Sequence, residues 1–174
     1  MVRRFWELPK GGFTIPRQKA VHGPFVSVNT MKSRFILNPK DDVVLDAEQY
    51  FSIEHGFINI GVEDLHKVIT GAGNVIMLEG QAKGSSRVAD AIEDAVLHTS
   101  SVANDYDLFS ADKVLVQISV NKDHPLLMSE LSDMPQFAEM FAPNTPFVWG
   151  ISESGGNGDT VTARIIASNI AHKH

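Results

Sequence analysis

The stretch "KVLVQISV", residues 113–120, is the most strand-like run in the chain. It is short, and four of its eight residues are β-branched, a composition typical of a strand that is buried on both faces. We therefore expect it to lie inside a sheet. The hydrophobic periodicities on either side of it predict what packs around that sheet.

An amphipathic helix and a second strand are predicted before this run. Apolar residues at positions 62, 65, 68 and 69 form a helical stripe, which Gly71 and Gly73 terminate. "NVIMLEGQA", residues 74–82, has the pattern of a strand, and Ser85 or Ser86 can cap the helix that follows it. The apolar face of that second helix consists of Val88, Ile92, Ala95 and Val96.

A third helix is predicted over residues 126–141, with a break or kink near Pro135. Two strands, "PFVWGIS" (146–152) and "TVTARIIAS" (160–168), close the chain and are joined by "ESGGNGD". Because a short loop of Gly, Asn and Asp makes a hairpin and not a crossover, we expect these two strands to be antiparallel neighbours.

This order of elements predicts an α/β (α+β) fold, in which a mixed four-stranded sheet is packed with two to three helices and ends in an antiparallel strand pair. Residues 56–174 are expected to form this domain, and residues 1–55 an N-terminal extension. Within the extension, "FVSVNT" and "SRFILN" predict a β-hairpin, and "VLDAEQYFSIEH" predicts a short helix.

Composition limits the classes of partner. The 174 residues, 43% of them hydrophobic, suffice for one sizeable core. A net charge of −6 and a pI near 5.6 argue against a nucleic-acid partner, which would need a broad basic surface. The basic residues that do cluster lie near the N-terminus: Arg3, Arg4, Lys10, Arg17 and Lys19. This cluster is either a solvated terminus or a contact for an acidic partner.

Several chemistries lack the residues they need. The chain has no cysteine, which excludes disulfides and thiolate sites. No apolar run approaches the roughly 20 residues of a membrane span, so we expect a soluble, cytoplasmic protein. None of the seven histidines has the spacing of a helical zinc site, so neither a metal nor a cofactor is predicted. Arg87 is expected to bond locally to Asp90 or Asp94.

Four stretches together resemble the C-terminal domain of FtsZ, the bacterial tubulin homologue of cell division. "GFINIGVEDL", residues 56–65, is similar to the activating loop of that family, Gly-x-Ile-Asn-x-Asp-x-x-Asp. "GSSRVADAIEDAV" resembles its Gly-x-x-Arg helix start, and "YDLFSADKVLVQIS" resembles its buried-strand segment. "FVWGISES" with "TARIIASNI" resembles its final strand pair. The order and spacing of the four carry the resemblance, which covers about two thirds of the chain.

The resemblance implies a domain that, in FtsZ, inserts its activating loop into the nucleotide site of the next subunit in a filament. FtsZ binds GTP in a separate N-terminal domain with the signature Gly-Gly-Gly-Thr-Gly-(Ser/Thr)-Gly. That signature does not occur in this sequence, and residues 1–55 are too few for a doubly wound nucleotide fold. We therefore expect that this chain does not bind GTP and is not an enzyme by itself.

The activating-loop-like segment supplies the candidate contact residues Gly56, Asn59, Gly61, Glu63 and Asp64. The resemblance implies two carboxylates, but Gly61 replaces the earlier Asp of the family pattern and only Asp64 matches the later one. Three interpretations stay open: the acids stabilise a helix start through its dipole, the loop is an assembly contact, or it activates hydrolysis in a partner. No residue of this chain is assigned a catalytic role.

Two functions from different classes follow. The first is a non-enzymatic assembly module in cell division or filament formation, whose partner is a GTP-binding FtsZ-type protein or its own copies. The alternative is a small-molecule-binding protein or an enzyme that reuses the same α/β scaffold, with a pocket at a subunit interface.

Overall fold

A computed structural model describes residues 33–40, 42, 43, 47, 61–154 and 158–173. The strands are β1 (Arg34–Leu37), β2 (Asn74–Ala82), β3 (Tyr106–Asp107), β4 (Lys113–Asn121), β5 (Phe147–Ser154), β6 (Val161–Ser168) and β7 (Ala171–His172). The α-helices are α1 (Val62–Ile69), α2 (Arg87–Leu97), α3 (Thr99–Val102) and α4 (Met134–Ala138), and short 3-10 helices cover Leu108–Ser110 and Met128–Leu131.

The main sheet has five strands in the order β1-β2-β6-β4-β5. β4 and β5 run parallel, and the other neighbouring pairs are antiparallel. β3 and β7 form a separate two-stranded antiparallel sheet. The predicted central run is confirmed as β4, whose seven inner residues are all buried.

The mixed α/β architecture is confirmed, but the prediction of four strands is wrong. "SRFILN" forms the fifth strand, β1, which pairs with β2 so that Arg34 lies opposite Met77. β1 therefore joins the sheet although its residues belong to the predicted extension. The other half of the predicted N-terminal hairpin, "FVSVNT", lies outside the described residues, as does most of the predicted helix over residues 44–55.

The expected hairpin between the last two strands is also wrong, because β4 lies between β5 and β6. Residues 155–160 connect them, and six residues span up to about 20 Å. Two strand spacings amount to only about 10 Å, so the loop is long enough to pass one strand. Burial explains the outcome: β6 has apolar residues on both faces, including the fully buried Ile165 and Ile166, and therefore takes an inner position.

Each face of the sheet is covered by one main helix. α2 packs on one face, where Gly80 of β2 has no side chain and lets the helix backbone approach; a Cβ there would overlap the backbone of Ala91 and Ala95. α1 packs on the other face, where Leu65 and Ile69 join a buried cluster with strand residues such as Met77. The two faces alternate along each strand, as a pleated sheet requires.

The helix predictions are confirmed for α1 and α2 and corrected for the third. α1 ends at Ile69 and is followed by Gly71 at φ 77°, a left-handed conformation that favours glycine. Ser86 is the N-cap residue of α2, but the predicted capping bond is not made, since its side chain forms no capping hydrogen bond. In place of one helix over residues 126–141 there are a 3-10 turn and α4, and Pro135 lies in the first turn of α4. The predicted break near Pro135 is therefore confirmed, and proline is tolerated in the first turn of α4 because that turn needs no backbone donor.

No helix in the described part of the chain is both long and apolar enough to cross a bilayer.

Candidate functional site

The structure describes only the second half of the activating-loop-like segment. Gly56 and Asn59 lie outside the described residues. Gly61, Glu63 and Asp64 are described, and they form the start of α1. The geometry of these three residues therefore determines which polar groups this end of the segment exposes to a partner.

The carboxylate of Asp64 turns back onto the start of its own helix. The Gly61 N–H donates to Asp64 Oδ2 at 3.0 Å, while the Asp64 N–H donates to the Gly61 carbonyl oxygen at 3.0 Å. This is one half of a capping box, because glycine has no side chain to complete the reciprocal bond. Asp64 thus satisfies backbone groups that a helix start otherwise leaves without partners.

Glu63 takes the opposite role, since its side chain is exposed. Consecutive helical residues point about 100° apart, and Leu65 is fully buried under the sheet, which fixes the rotation of the helix. The result separates the two acids: Asp64 caps the helix, and Glu63 presents a carboxylate to solvent. The prediction that both acids lie in the first turn of a helix is confirmed.

Gly61 lies in an extended conformation, φ −86° and ψ 161°, which any residue can adopt. A Cβ at this position would meet Asp64 Oδ2 at 3.7 Å and the Glu63 nitrogen at 4.0 Å, both ordinary contact distances. The backbone therefore does not require glycine here. A Cβ at position 61 would fit without a change of chain path.

A small cavity of about 170 Å³ lies beside α1, between the helix and the β4–β5 edge of the sheet. Its apolar lining consists of Val68, Val114, Leu115, Pro146 and Val148. Lys113 lies at this cavity, and its Nζ donates to the Lys67 carbonyl oxygen at 2.8 Å. A cation near the last turn of α1 interacts favourably with the helix dipole.

A buried polar row crosses three strands on the same face as α1. Arg164 Nε donates to Glu79 Oε2 at 3.0 Å, and Arg164 Nη1 donates to Gln117 Oε1 at 3.4 Å. Glu79 is only 2% exposed and lies directly opposite Arg164 in the register of β2 and β6. Sequence reasoning missed this row. The signal was a charged residue inside each of two otherwise apolar strands.

A second buried ion pair corrects the prediction for Arg87. The guanidinium does not bond to Asp90 or Asp94 but to Glu130, with Nε–Oε1 at 2.7 Å. It also donates to the carbonyl oxygens of three loop residues: His124 at 3.0 Å, Pro125 at 3.0 Å and Asp159 at 2.9 Å. Arg87 is buried and reaches residues 37 to 72 positions away, which no local pattern reveals.

The environment of Glu130 lowers its pKa. Burial alone raises the pKa of a carboxyl group, but the Arg87 hydrogen bond, the Leu127 N–H at 2.8 Å and the positive charge of Arg87 outweigh it. Glu130 therefore stays ionised as the partner of Arg87. Within the described ranges, no group of three His, Asp or Glu side chains is placed to hold a metal ion.

Comparison with known proteins gives one curated relative and a set of similar folds. No protein-family profile matches the chain. The cell division protein FtsZ of Porphyromonas gingivalis is 29% identical over 116 residues, which cover 67% of this chain and 25% of the relative. This chain thus spans about a quarter of the length of that relative.

Solved structures of FtsZ and TubZ share the fold. An FtsZ dimer from M. jannaschii superposes with a TM-score of 0.56 at 17% identity, over 76% of this chain and 40% of that one. A mutant FtsZ from M. jannaschii gives 0.57 at 18% identity, over 76% and 42%. GDP-form protofilaments of TubZ from Bacillus thuringiensis serovar israelensis give 0.51 at 7% identity, over 76% and 37%.

The sequence match covers about two thirds of the chain, and the shared fold covers about three quarters of it. The curated relative is a cell division protein, and the TubZ structure is one of protofilaments. The chain therefore contains a domain that has the fold of part of FtsZ and is similar to FtsZ in sequence.

Proposed function

We propose that this chain acts as a non-enzymatic assembly module. Its partner is a GTP-binding FtsZ-type protein or its own copies, and the contact is made by the segment that contains Gly56, Asn59, Gly61, Glu63 and Asp64. Residues 56–174 form the FtsZ C-terminal-like domain in this proposal, with residues 1–55 as an extension that contributes β1. The site of action is the cytoplasm, where such a partner assembles.

The start of α1 is the observation that carries the proposal. Asp64 is bonded to the Gly61 N–H, and position 61 has no side chain, so Glu63 is the one carboxylate of this turn that faces solvent. A loop that supplies one carboxylate where the family pattern has two can dock in the nucleotide site of a neighbouring subunit without activating GTP hydrolysis there. We therefore infer contact without stimulation of hydrolysis.

We also propose that these 174 residues do not hydrolyse GTP by themselves. The glycine-rich phosphate signature of the family does not occur in the sequence. Phosphoryl transfer depends on backbone N–H groups that cradle the phosphates and on groups that position a water. The activating loop would supply only the second of these to a neighbouring subunit.

Co-sedimentation with the FtsZ of the same cell, assembled with GTP, tests the proposal. We expect this chain to pellet with the polymer without accelerating phosphate release. Glu63→Gln should weaken the association, whereas Asn104→Asp, which changes one charge in an exposed turn elsewhere, should not. Failure to pellet over a wide concentration range, with no self-association either, would overturn the assembly role.

Gly61→Asp tests whether the absence of a carboxylate at position 61 prevents stimulation of GTP hydrolysis. Because position 61 has room for a side chain, this variant should keep the fold and bring phosphate release above the level seen with the wild-type chain. Gly61→Ala is the matched control, since it adds a Cβ without a carboxylate. If both variants leave phosphate release unchanged while pelleting normally, Gly61 is not what separates docking from hydrolysis.

A further inference from the structure

The outer side of β5 is an open sheet edge. β5 is the last strand of the sheet, and none of the described residues pairs with its outer side. The Val114 N–H donates to the Pro146 carbonyl oxygen at 3.0 Å, so even-numbered residues of this stretch turn their peptide groups toward β4. Phe147, Trp149 and Ile151 therefore turn theirs outward, where another strand could bond to them.

Apolar grooves flank this edge. One groove, of about 470 Å³, is lined mainly by Met128, Leu131, Met134, Pro135, Phe147 and Trp149. A neighbouring groove of about 300 Å³ shares Ala138 and Phe147 with it. Met128, which lines the larger groove, is 85% exposed. Open backbone groups beside side-chain pockets are the geometry of strand addition.

The charge of this region selects the occupant. Residues 123–163, which include α4 and β5, hold six carboxylates and no Lys or Arg. Arg87, from outside this range, neutralises one of the six, Glu130. Residues 1–32 hold six Lys or Arg against one Glu, a net charge of +5, whereas residues 33–174 hold nine against twenty, a net charge of −11. The two parts of the chain are thus oppositely charged, and opposite potentials favour association.

We propose that the N-terminal segment of the same chain docks on this edge, with "VRRFWEL", residues 2–8, added to β5 as a strand. The run has two aromatic residues for the grooves and two arginines for their acidic surroundings, among them Asp133 and Glu139. Pro9 ends the run, since proline cannot continue the ladder. This inference concerns a surface other than the start of α1 and does not depend on the proposed function.

The chain is long enough for the contact. Residues 9–32 lie between the run and Ser33, and 24 residues reach up to about 80 Å when extended. The described chain begins at Ser33 beside β2, and crossing the sheet from β1 to β5 requires four strand spacings, about 19 Å. A tether of this length makes docking within one chain a reaction at roughly millimolar effective concentration.

Trp149 provides a direct test, because it lies in the larger groove and Trp6 is the other of the two tryptophans. In the full-length Trp6→Phe chain, Trp149 alone fluoresces. Adding Arg3→Glu and Arg4→Glu should increase the acrylamide quenching of Trp149 and shift its emission to the red, because the groove opens to solvent. The matched control adds Lys40→Glu and Lys83→Glu, which change the same charge at exposed positions outside the segment, and should leave both readouts unchanged.

Carbodiimide cross-linking distinguishes docking within a chain from docking between copies. An equimolar mixture of ¹⁴N- and ¹⁵N-labelled full-length chains should give cross-links from Lys10 to Asp133 or Glu139 in peptides of one isotope only. Equal quenching in the arginine variant and the control, with unchanged circular dichroism in both, would overturn the proposal. Cross-links that mix the isotopes would overturn it in favour of a contact between copies.

Discussion

Arg87 and Glu130 form a two-point ion pair across 43 positions of sequence, with Nε–Oε1 at 2.7 Å and Nη2–Oε2 at 3.2 Å. The exposed fractions of the two side chains are 7% and 9%. The same guanidinium holds carbonyl groups from the loop after β4 and the loop before β6. The pair therefore fixes three segments at one end of the sheet.

Removing one partner of this pair should strongly destabilise the fold. Glu130→Gln leaves the buried charge of Arg87 without its counter-ion, and we expect the free energy of unfolding to fall by about 3 kcal/mol. Arg87→Met should have a similar effect. The double variant Arg87→Met, Glu130→Gln should lose less than the two single losses added together, because no unpaired charge remains. Urea unfolding of the four proteins measures this, and strictly additive losses would contradict the pairing.

The lowered pKa of Glu130 predicts an acid dependence of stability. The ordinary pKa is 4.5, and in the folded chain it is lower. The unfolded chain therefore binds a proton on Glu130 at a higher pH than the folded chain does. The contribution is complete above pH 4.5 and is lost as the pH falls through the folded-state pKa. The free energy of unfolding should be measured from about pH 6 to about pH 3, the range in which carboxyl groups take up protons. It should fall more steeply for the wild type than for Glu130→Gln. Parallel curves would show that Glu130 is not involved.

Two glycines should respond differently to alanine. Gly80→Ala places a methyl group against the backbone of α2, so the helix must move, and we expect a loss of about 3 kcal/mol or more. Gly61→Ala meets only ordinary contacts in an extended conformation and should change stability by less than about 0.5 kcal/mol. Thermal unfolding followed by circular dichroism compares them. Equal losses would mean that α2 does not approach β2 as closely as the contacts at Gly80 require.

The capping role of Asp64 predicts a third stability effect. Asp64→Ala removes the acceptor of the Gly61 N–H and should destabilise the chain by about 1 kcal/mol. Asp64→Asn keeps an acceptor oxygen and should lose less, while Glu63→Ala, at an exposed position, should stay within about 0.5 kcal/mol. Hydrogen exchange of the α1 amides measures the same effect locally. An unaltered exchange rate in Asp64→Ala would show that the bond does not hold the start of the helix.

Part of the site could be predicted from local pattern, and part could not. The acidic first turn of α1 follows from the spacing of apolar residues and a glycine boundary, because helix starts are set by neighbouring residues. The division of roles between Asp64 and Glu63 could not be predicted, since it depends on the rotation that Leu65 fixes by burial under the sheet. The partner of Arg87 was missed for a related reason: a long buried side chain bonds to whatever the fold brings near it.

Hydrophobic periodicity was enough to predict α1, α2, the buried strand β4 and the mixed α/β class. The resemblance to FtsZ could also be recognised without the structure, because it rests on the order and spacing of four stretches of the sequence. The strand order did not follow from the sequence: β1 is a fifth strand, β6 lies between β2 and β4, and β5 lies at the edge of the sheet. Periodicity indicates which face of a strand is buried. Strand order depends instead on which strands bury apolar side chains against the helices on both faces of the sheet, and this is a property of the assembled sheet.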